Sequence, residues 1–200
     1  MLSNSPHSHD PAIALSPPFR TASVLEPAKN PVRVQLNDTR LVTIRPILPT
    51  DLDGLRTFFA TLSRATLRLR FHSSINELSE PLLRTFTARN DRAHVAFVAE
   101  RHDFIAARPA TLVAEARFVR NDDPDTAEFA LVVAETWRRI GLGTVLTQIL
   151  AQRARLMGVR RMCGDVLSDN NAMRGFANSL DAQLSLGRGY VRNLRLCLEV

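Results

Sequence analysis

The chain has 200 residues, of which 45% are hydrophobic and 23% are charged, and its formal net charge is +6 at pH 7. These values suit one folded domain with an attached tail, and no stretch approaches the ~20 consecutive apolar residues that a membrane span needs. Aromatic residues make up 6% of the chain and the arginines are spread along it, so the sequence argues against a nucleic-acid-binding surface.

The N-terminal segment has the composition of a disordered tail. Residues 1–37 hold six of the eleven prolines, with serine and histidine between them. Such a segment buries too little apolar surface to fold, and we interpret its histidines as solvated rather than metal-binding. We therefore predict a disordered tail over residues 1–37 and a folded domain over residues 38–200.

The cysteines and the N-terminus predict a location. Cys163 and Cys197 are far apart in sequence, lack the spacing of metal ligands and lie in strand-like segments, so we expect two buried free thiols in a reducing compartment. The N-terminus lacks the basic start and apolar core of a signal peptide. Together these features predict a cytoplasmic protein with no metal site.

The first half of the domain reads as one strand and three helices. Residues 41–46 alternate as a strand that ends at a proline. Thr50 is a suitable N-cap for a helix over residues 51–62, whose leucines and phenylalanines form a buried stripe. A second helix carries the arginines of residues 64–70, and a third is predicted over residues 76–89.

Three strands follow, over residues 93–100, 111–120 and 126–134. The segment Asn121–Asp125 has the chemistry of a turn, so it joins the last two strands as a hairpin. After them, the elements alternate between helix and strand: a helix over 142–157, a strand over 160–167, a helix capped by Ser168 or Asp169, and a C-terminal strand pair that includes the alternating residues 194–200. This order predicts an α/β fold built on a mixed sheet with flanking helices.

The turn before the fourth helix has the features of an anion site. An apolar strand, the segment Arg138–Thr144 and an amphipathic helix follow one another. Backbone amides at a helix N-terminus bind phosphate, the glycines at 141 and 143 allow close approach, and the two arginines add donors. A dinucleotide fold would need a third glycine where Leu146 stands, and a P-loop would need a lysine. A tight turn without a ligand is the remaining alternative.

The pattern Arg138-x-x-Gly141-x-Gly143 resembles the coenzyme A pyrophosphate loop of the GNAT superfamily of N-acyltransferases. The resemblance implies a mostly antiparallel central sheet in which two splayed strands hold coenzyme A. It also implies that the pantetheine arm pairs with the backbone of one of these strands. The cofactor-binding residues would then be Leu131, Val132, Val133, Arg138, Arg139, Ile140, Gly141, Leu142, Gly143, Thr144 and Asn170, the last of which could instead be only a helix cap.

A closer resemblance covers roughly residues 40–182. The segments Thr43–Ile47, Arg70–Glu77, Ala127–Ala130 and Asp169–Met173, together with the Gly141 loop, look like bacterial protein lysine acetyltransferases, which modify acyl-CoA synthetases. The resemblance implies acetyl-CoA as co-substrate and a protein lysine as acceptor. It also implies that Glu128 is the general base.

The chemistry of acyl transfer also suggests a role for Glu128 as a proton acceptor. Glu128 is a lone carboxylate at the start of an apolar strand. Attack on a thioester needs a neutral amine, whereas a lysine ammonium has a pKa near ~10.4, so a base must remove a proton. Glu115 and Glu135 are reserve candidates, and an exposed structural role for Glu128 is the alternative. Acetylation of a small amine and a non-catalytic basic binding module are the competing functions.

Overall fold

The computed structural model describes residues 31–88, 93–103, 108–186 and 193–200. Eight strands in these ranges form one sheet in the order β1-β2-β3-β4-β5-β6-β8-β7. Their bounds are β1 Val32–Gln35, β2 Leu41–Pro46, β3 His94–Asp103, β4 Arg108–Arg120, β5 Thr126–Val133, β6 Arg161–Leu167, β7 Gln183–Leu186 and β8 Asn193–Glu199. Strand β5 pairs with β6 in parallel, whereas the other neighbours are antiparallel. The predicted mixed, mostly antiparallel sheet is confirmed.

Helices cover both faces of this sheet. Their bounds are α1 Leu52–Ala60, α2 Arg64–Phe71, α3 Glu80–Ala88, α4 Leu142–Leu156 and α5 Asn171–Ser179. Apolar side chains of α1, α2 and α3 form one core cluster with the sheet, and those of α4 and α5 form a second cluster on the opposite face. Among the described helices, none is both long enough and apolar enough to span a membrane.

The sheet begins earlier in the chain than predicted. Val32–Gln35 forms β1 and pairs with β2, with Val34 opposite Val42. The prediction of disorder was therefore wrong for residues 31–37, and residues 1–30 lie outside the described residues. The alternation of valine with polar residues in this short strand was masked by the prolines that precede it.

Three predicted helix starts need correction. Thr50 lies in a 3-10 turn, where the Asp51 carboxylate accepts a hydrogen bond from the Leu48 amide at 2.7 Å. Helix α3 begins at Glu80, because Pro81 suits the first helical turn and lacks the amide that an interior position needs. Its predicted end at residue 89 lies outside the described residues. Helix α5 is capped by Asn170, not by Ser168 or Asp169.

The two cysteines are not free thiols. Cys163 of β6 and Cys197 of β8 lie directly opposite each other in the antiparallel register, with their Cα atoms 4.1 Å apart, and they form a disulfide bond. Their separation of 34 residues hid this proximity, since only the strand pairing brings them together. The prediction of two free thiols was therefore wrong, and one argument for a reducing compartment is removed.

Candidate active site

Strands β5 and β6 pair at one end and diverge at the other. Their register ends where Glu128 lies opposite Cys163. Beyond that point β5 continues to pair with β4 as far as Val133, and β6 continues to pair with β8 as far as Leu167. Both strands therefore keep an outer neighbour while they separate from each other, and a gap opens between them.

Gly164 marks the point where the gap closes. A Cβ atom at this position would lie 2.6 Å from the Phe129 carbonyl oxygen, closer than real Cβ atoms come to backbone. Glycine is therefore required for the two strands to approach here. The same contact shows that the Phe129 carbonyl is directed toward β6, whereas the Ala134 amide donates to the Val113 carbonyl on the β4 side.

The backbone of β5 presents alternate residues to the gap. Because hydrogen-bonding direction alternates along an antiparallel strand, Leu131 and Val133 share the direction of Phe129 and face the gap. Val132 is paired with Glu115 of β4 instead, and its side chain is buried among α1, α2 and α3. Two of the three predicted strand residues are thus placed to pair with an extended ligand.

The segment Arg138–Thr144 lies at the open end of the gap. Gly141 has a φ of 91° and precedes α4, and Arg139 is also left-handed, with a φ of 62°. A Cβ atom at Gly143 would lie 3.5 Å from the Leu131 side chain and 3.7 Å from the Phe176 ring. The first turn of α4 therefore sits between β5 and α5, where its amides can meet an anion that enters the gap.

The other side chains of this segment differ in how far they are buried. The Leu142 side chain is buried in the core, and Ile140 packs against the same cluster. Arg139 is exposed and Thr144 is half-buried. The apolar side chains of the loop are therefore turned into the core, whereas Arg139 is at the surface.

The turn between β1 and β2 supports this loop and was missed in the sequence. The Asn37 amide donates to the Ile140 carbonyl at 3.2 Å, and its side chain lies against Gly141. Arg40 donates to the Thr136 carbonyl at 3.0 Å, and its guanidinium lies 4.2 Å from the centre of the Trp137 ring. The valine alternation of β1 was the available signal that a hairpin precedes residue 41.

Arg138 is directed toward β5 and α2. Its Nε donates to the Val133 carbonyl at 2.9 Å, and its Nη2 donates to the Thr66 hydroxyl at 2.8 Å. The side chain thus caps the end of the strand that borders the gap. Its predicted donation to a pyrophosphate stays a prediction.

Glu128 lies at the closed end of the gap, on the face covered by α1–α3. Its neighbours in sequence, Ala127 and Phe129, pack with α4 and α5, so the alternation of the strand turns Glu128 to the opposite face. It is half-buried. The carboxylate and the Arg138–Thr144 loop therefore occupy opposite ends and opposite faces of the gap.

The two reserve glutamates are engaged elsewhere. Glu115 is fully buried and forms ion pairs with Arg117 and Arg70. Burial opposes the charge of Glu135, but hydrogen bonds from Thr66 and Ser63 outweigh this effect and lower its pKa to about 2. Both carboxylates are therefore committed to partners within the protein.

Asn170 has a definite structural role. Its side-chain oxygen accepts a hydrogen bond from the Met173 amide at 3.0 Å, which caps α5 next to the end of β6. The cap interpretation is confirmed. A contact between Asn170 and a cofactor stays a prediction.

Comparison with known proteins assigns the class. The Acetyltransferase (GNAT) family model matches residues 65–181, more than half of the chain, so the chain belongs to this family. It is an N-acetyltransferase, and acetyl-CoA is its co-substrate. Two solved acetyltransferases share this fold and contain the cofactor. One is 20% identical to this chain and contains acetyl-CoA, and the other is 14% identical and contains coenzyme A.

Individual relatives agree with this class. Acetyltransferase PA5475 of Pseudomonas aeruginosa is 32% identical over 145 residues, which cover 72% of this chain and 76% of the relative. Acetyltransferase Pat of Mycolicibacterium smegmatis is 31% identical over 153 residues, 76% of this chain but 44% of the relative. The GNAT domain of S. lividans PAT superposes with a TM-score of 0.75 at 23% identity, covering 85% of this chain and 97% of that domain.

Proposed function

We propose that the enzyme transfers an acetyl group from acetyl-CoA to a lysine side chain of a protein, with an acyl-CoA synthetase as the target class and Glu128 as general base. The observation that carries the proposal is the position of Glu128 at the closed end of the β5–β6 gap, opposite the anion-binding loop. A long thioester that is anchored at the loop would bring its acyl end toward this carboxylate.

The cofactor part of the proposal uses the backbone of the gap. The amides of residues 138–144 would hold the pyrophosphate, and Leu131 and Val133 would pair with the pantetheine arm as an additional strand. Gly143 supports this arrangement because its missing side chain keeps the first turn of α4 close to β5. Asn170 would border the arm from the β6 side.

The acceptor part requires a base. The lysine ammonium must lose its proton before the nitrogen attacks the thioester carbonyl, and Glu128 would take that proton directly or through one water. The new amide bond forms as the carbon–sulfur bond breaks, the sulfur leaves with the bonding electron pair, and the second proton of the nitrogen passes to the departing thiolate or to solvent. A thiolate needs little help from an acid, which agrees with Ala177 standing where many GNAT enzymes carry a tyrosine.

The target class is supported by resemblance and by relatives rather than by a contact. Relatives named Pat share the fold and 23% to 31% of residues. A cytoplasmic location belongs to the same proposal, because an acyl-CoA synthetase and acetyl-CoA would both be met there. The expected free thiols had supported this location, and the disulfide bond removes that support.

Transfer of radiolabelled acetyl groups tests the acceptor. The purified enzyme and labelled acetyl-CoA are incubated with an acyl-CoA synthetase, with the same synthetase whose active-site lysine is arginine, and with a panel of small amines. We expect label on the first synthetase and none on the arginine variant. Faster transfer to a small amine, with no label on either synthetase, would replace the protein target by a small-molecule acceptor.

A further inference from the structure

A chain of hydrogen bonds joins the loop at the gap to helix α2. Arg138 donates to the Thr66 hydroxyl at 2.8 Å, and that hydroxyl lies 2.6 Å from Oε1 of Glu135. Glu135 Oε1 also accepts from the Ser63 backbone amide at 3.1 Å, at the N-terminus of α2. Three segments therefore meet here: the end of β5, the start of the loop and the first turn of α2.

The chemistry of the three side chains fixes which group donates and which accepts in each hydrogen bond. A guanidinium can only donate and an ionised carboxylate can only accept, whereas a threonine hydroxyl does both with one proton. Thr66 must therefore accept from Arg138 and donate to Glu135. Thr66 is buried at 6% exposure, so water cannot readily replace either partner.

The chain ends on a backbone group that borders the gap. Arg138 Nε donates to the Val133 carbonyl at 2.9 Å, and Val133 is one of the two residues of β5 that face the gap. Arg138 Nη2 also lies 3.8 Å from Glu135 Oε1, so Thr66 and Glu135 together hold the guanidinium that bonds this carbonyl, with the hydrogen bond coming from Thr66. Helix α2 lies on the face of the sheet that carries Glu128. The hydrogen bonds of Thr66 therefore connect the loop proposed to bind the cofactor with the face proposed to receive the acceptor.

We propose that Thr66 is a positioning residue for the acetyl-CoA site, which holds Arg138 against the Val133 carbonyl and thereby sets the open end of the β5–β6 gap. The inference rests on the proposed cofactor site. It gives the Arg138 side chain a role within the protein, alongside the pyrophosphate contact expected of it. Thr66 touches neither substrate in this account and acts through Arg138.

Calorimetric titration with acetyl-CoA tests the inference. Thr66→Val keeps the shape of the side chain and removes the hydroxyl that bonds Arg138, Glu135 and the Ser63 hydroxyl. We expect the Kd to rise about 5- to 30-fold, the range that corresponds to the loss of the one buried hydrogen bond that reaches Arg138. Thr66→Ser restores the hydroxyl and should return the Kd to within about twofold of wild type. Thr66→Ala provides a second variant should the valine variant fail to fold.

Two controls separate positioning from general destabilisation. Thr87→Val makes the same change at a buried threonine of α3 that bonds only its own helix, and it should leave the Kd unchanged. In an Arg138→Met background, Thr66→Val should have no further effect on the Kd, because Thr66 acts on the site only through Arg138 although its bonds to Glu135 and Ser63 remain.

The outcomes distinguish the two proposals. A Thr66→Val protein that binds acetyl-CoA like wild type would overturn the positioning role, as would an undiminished effect in the Arg138→Met background. Absence of acetyl-CoA binding by the wild-type protein would instead overturn the cofactor site itself.

Discussion

Two glutamates on the same face of neighbouring strands have opposite surroundings. Glu115 of β4 is fully buried and pairs with Arg117 and Arg70, whose guanidinium groups also lie over the Phe86 ring. Glu128 of β5 is half-buried and lies where two strands separate. A carboxylate enclosed with buried cations, such as Glu115, serves stability, whereas one beside a gap, such as Glu128, is placed to serve chemistry.

The largest expected effect is on turnover. Glu128→Gln removes the proton acceptor while keeping the shape, so we expect kcat to fall by about 10²- to 10⁴-fold, the usual contribution of general-base catalysis. Binding of acetyl-CoA and the thermal midpoint should stay close to wild type. Glu199→Gln, at an exposed position of β8, is the matched control. Equal turnover in the Glu128 variant would remove this residue from its proposed role.

The second effect is on stability. Burial lowers the pKa of the Arg70 guanidinium, and the charge of Glu115 opposes that shift. Glu115→Gln leaves two arginines without their anion, so we expect a loss of about 3–5 kcal/mol in the free energy of unfolding, measured in urea. Unchanged stability together with lost turnover would transfer the catalytic role from Glu128 to Glu115.

The disulfide bond sharpens the comparison because Cys163 is the β6 neighbour of Glu128. Replacing both cysteines by serine should reduce the free energy of unfolding by about 2–4 kcal/mol under non-reducing conditions, as expected for a closed loop of this size. Alkylation followed by mass spectrometry should find both cysteines unmodified in the native protein. Full labelling of both thiols would contradict the bond.

The smallest effect concerns a third glutamate. Hydrogen bonds from Thr66 and Ser63 hold the pKa of Glu135 at about 2, below its ordinary value of 4.5. Its contribution to stability is therefore fully present above about pH 4.5 and is lost as the pH falls toward 2. Because the side chain is 39% exposed, we expect less than about 1 kcal/mol. Glu135→Gln should flatten this part of the curve of unfolding free energy against pH, and an unchanged slope would contradict the pKa.

Local patterns predicted the elements nearest the site. The apolar spacing after residue 141 predicted α4, and the paired glycines predicted a turn before it, which the structure shows with a left-handed Gly141. Strand β5 was visible as a short apolar run, although its separation from β6 was expected only from the resemblance. These features depend on residues close together in sequence.

Features that depend on pairing between distant segments were not predicted from the sequence. The disulfide bond needs the β6–β8 register, and the contact of Asn37 with Gly141 needs the β1–β2 hairpin to reach the loop. The ion pairs of Glu115 need helix α2 to deliver Arg70 onto the sheet. No local pattern carries this information, because strand register and helix docking are decided by the whole core.

The most direct test of the central claim is a crystal structure of the Glu128→Gln protein with acetyl-CoA. We expect a pyrophosphate on the amides at the start of α4, a pantetheine arm hydrogen-bonded to the backbone of Leu131, and an acetyl group beside residue 128 on the α1–α3 face. An acetyl group placed away from residue 128, or a cofactor bound outside the β5–β6 gap, would contradict it.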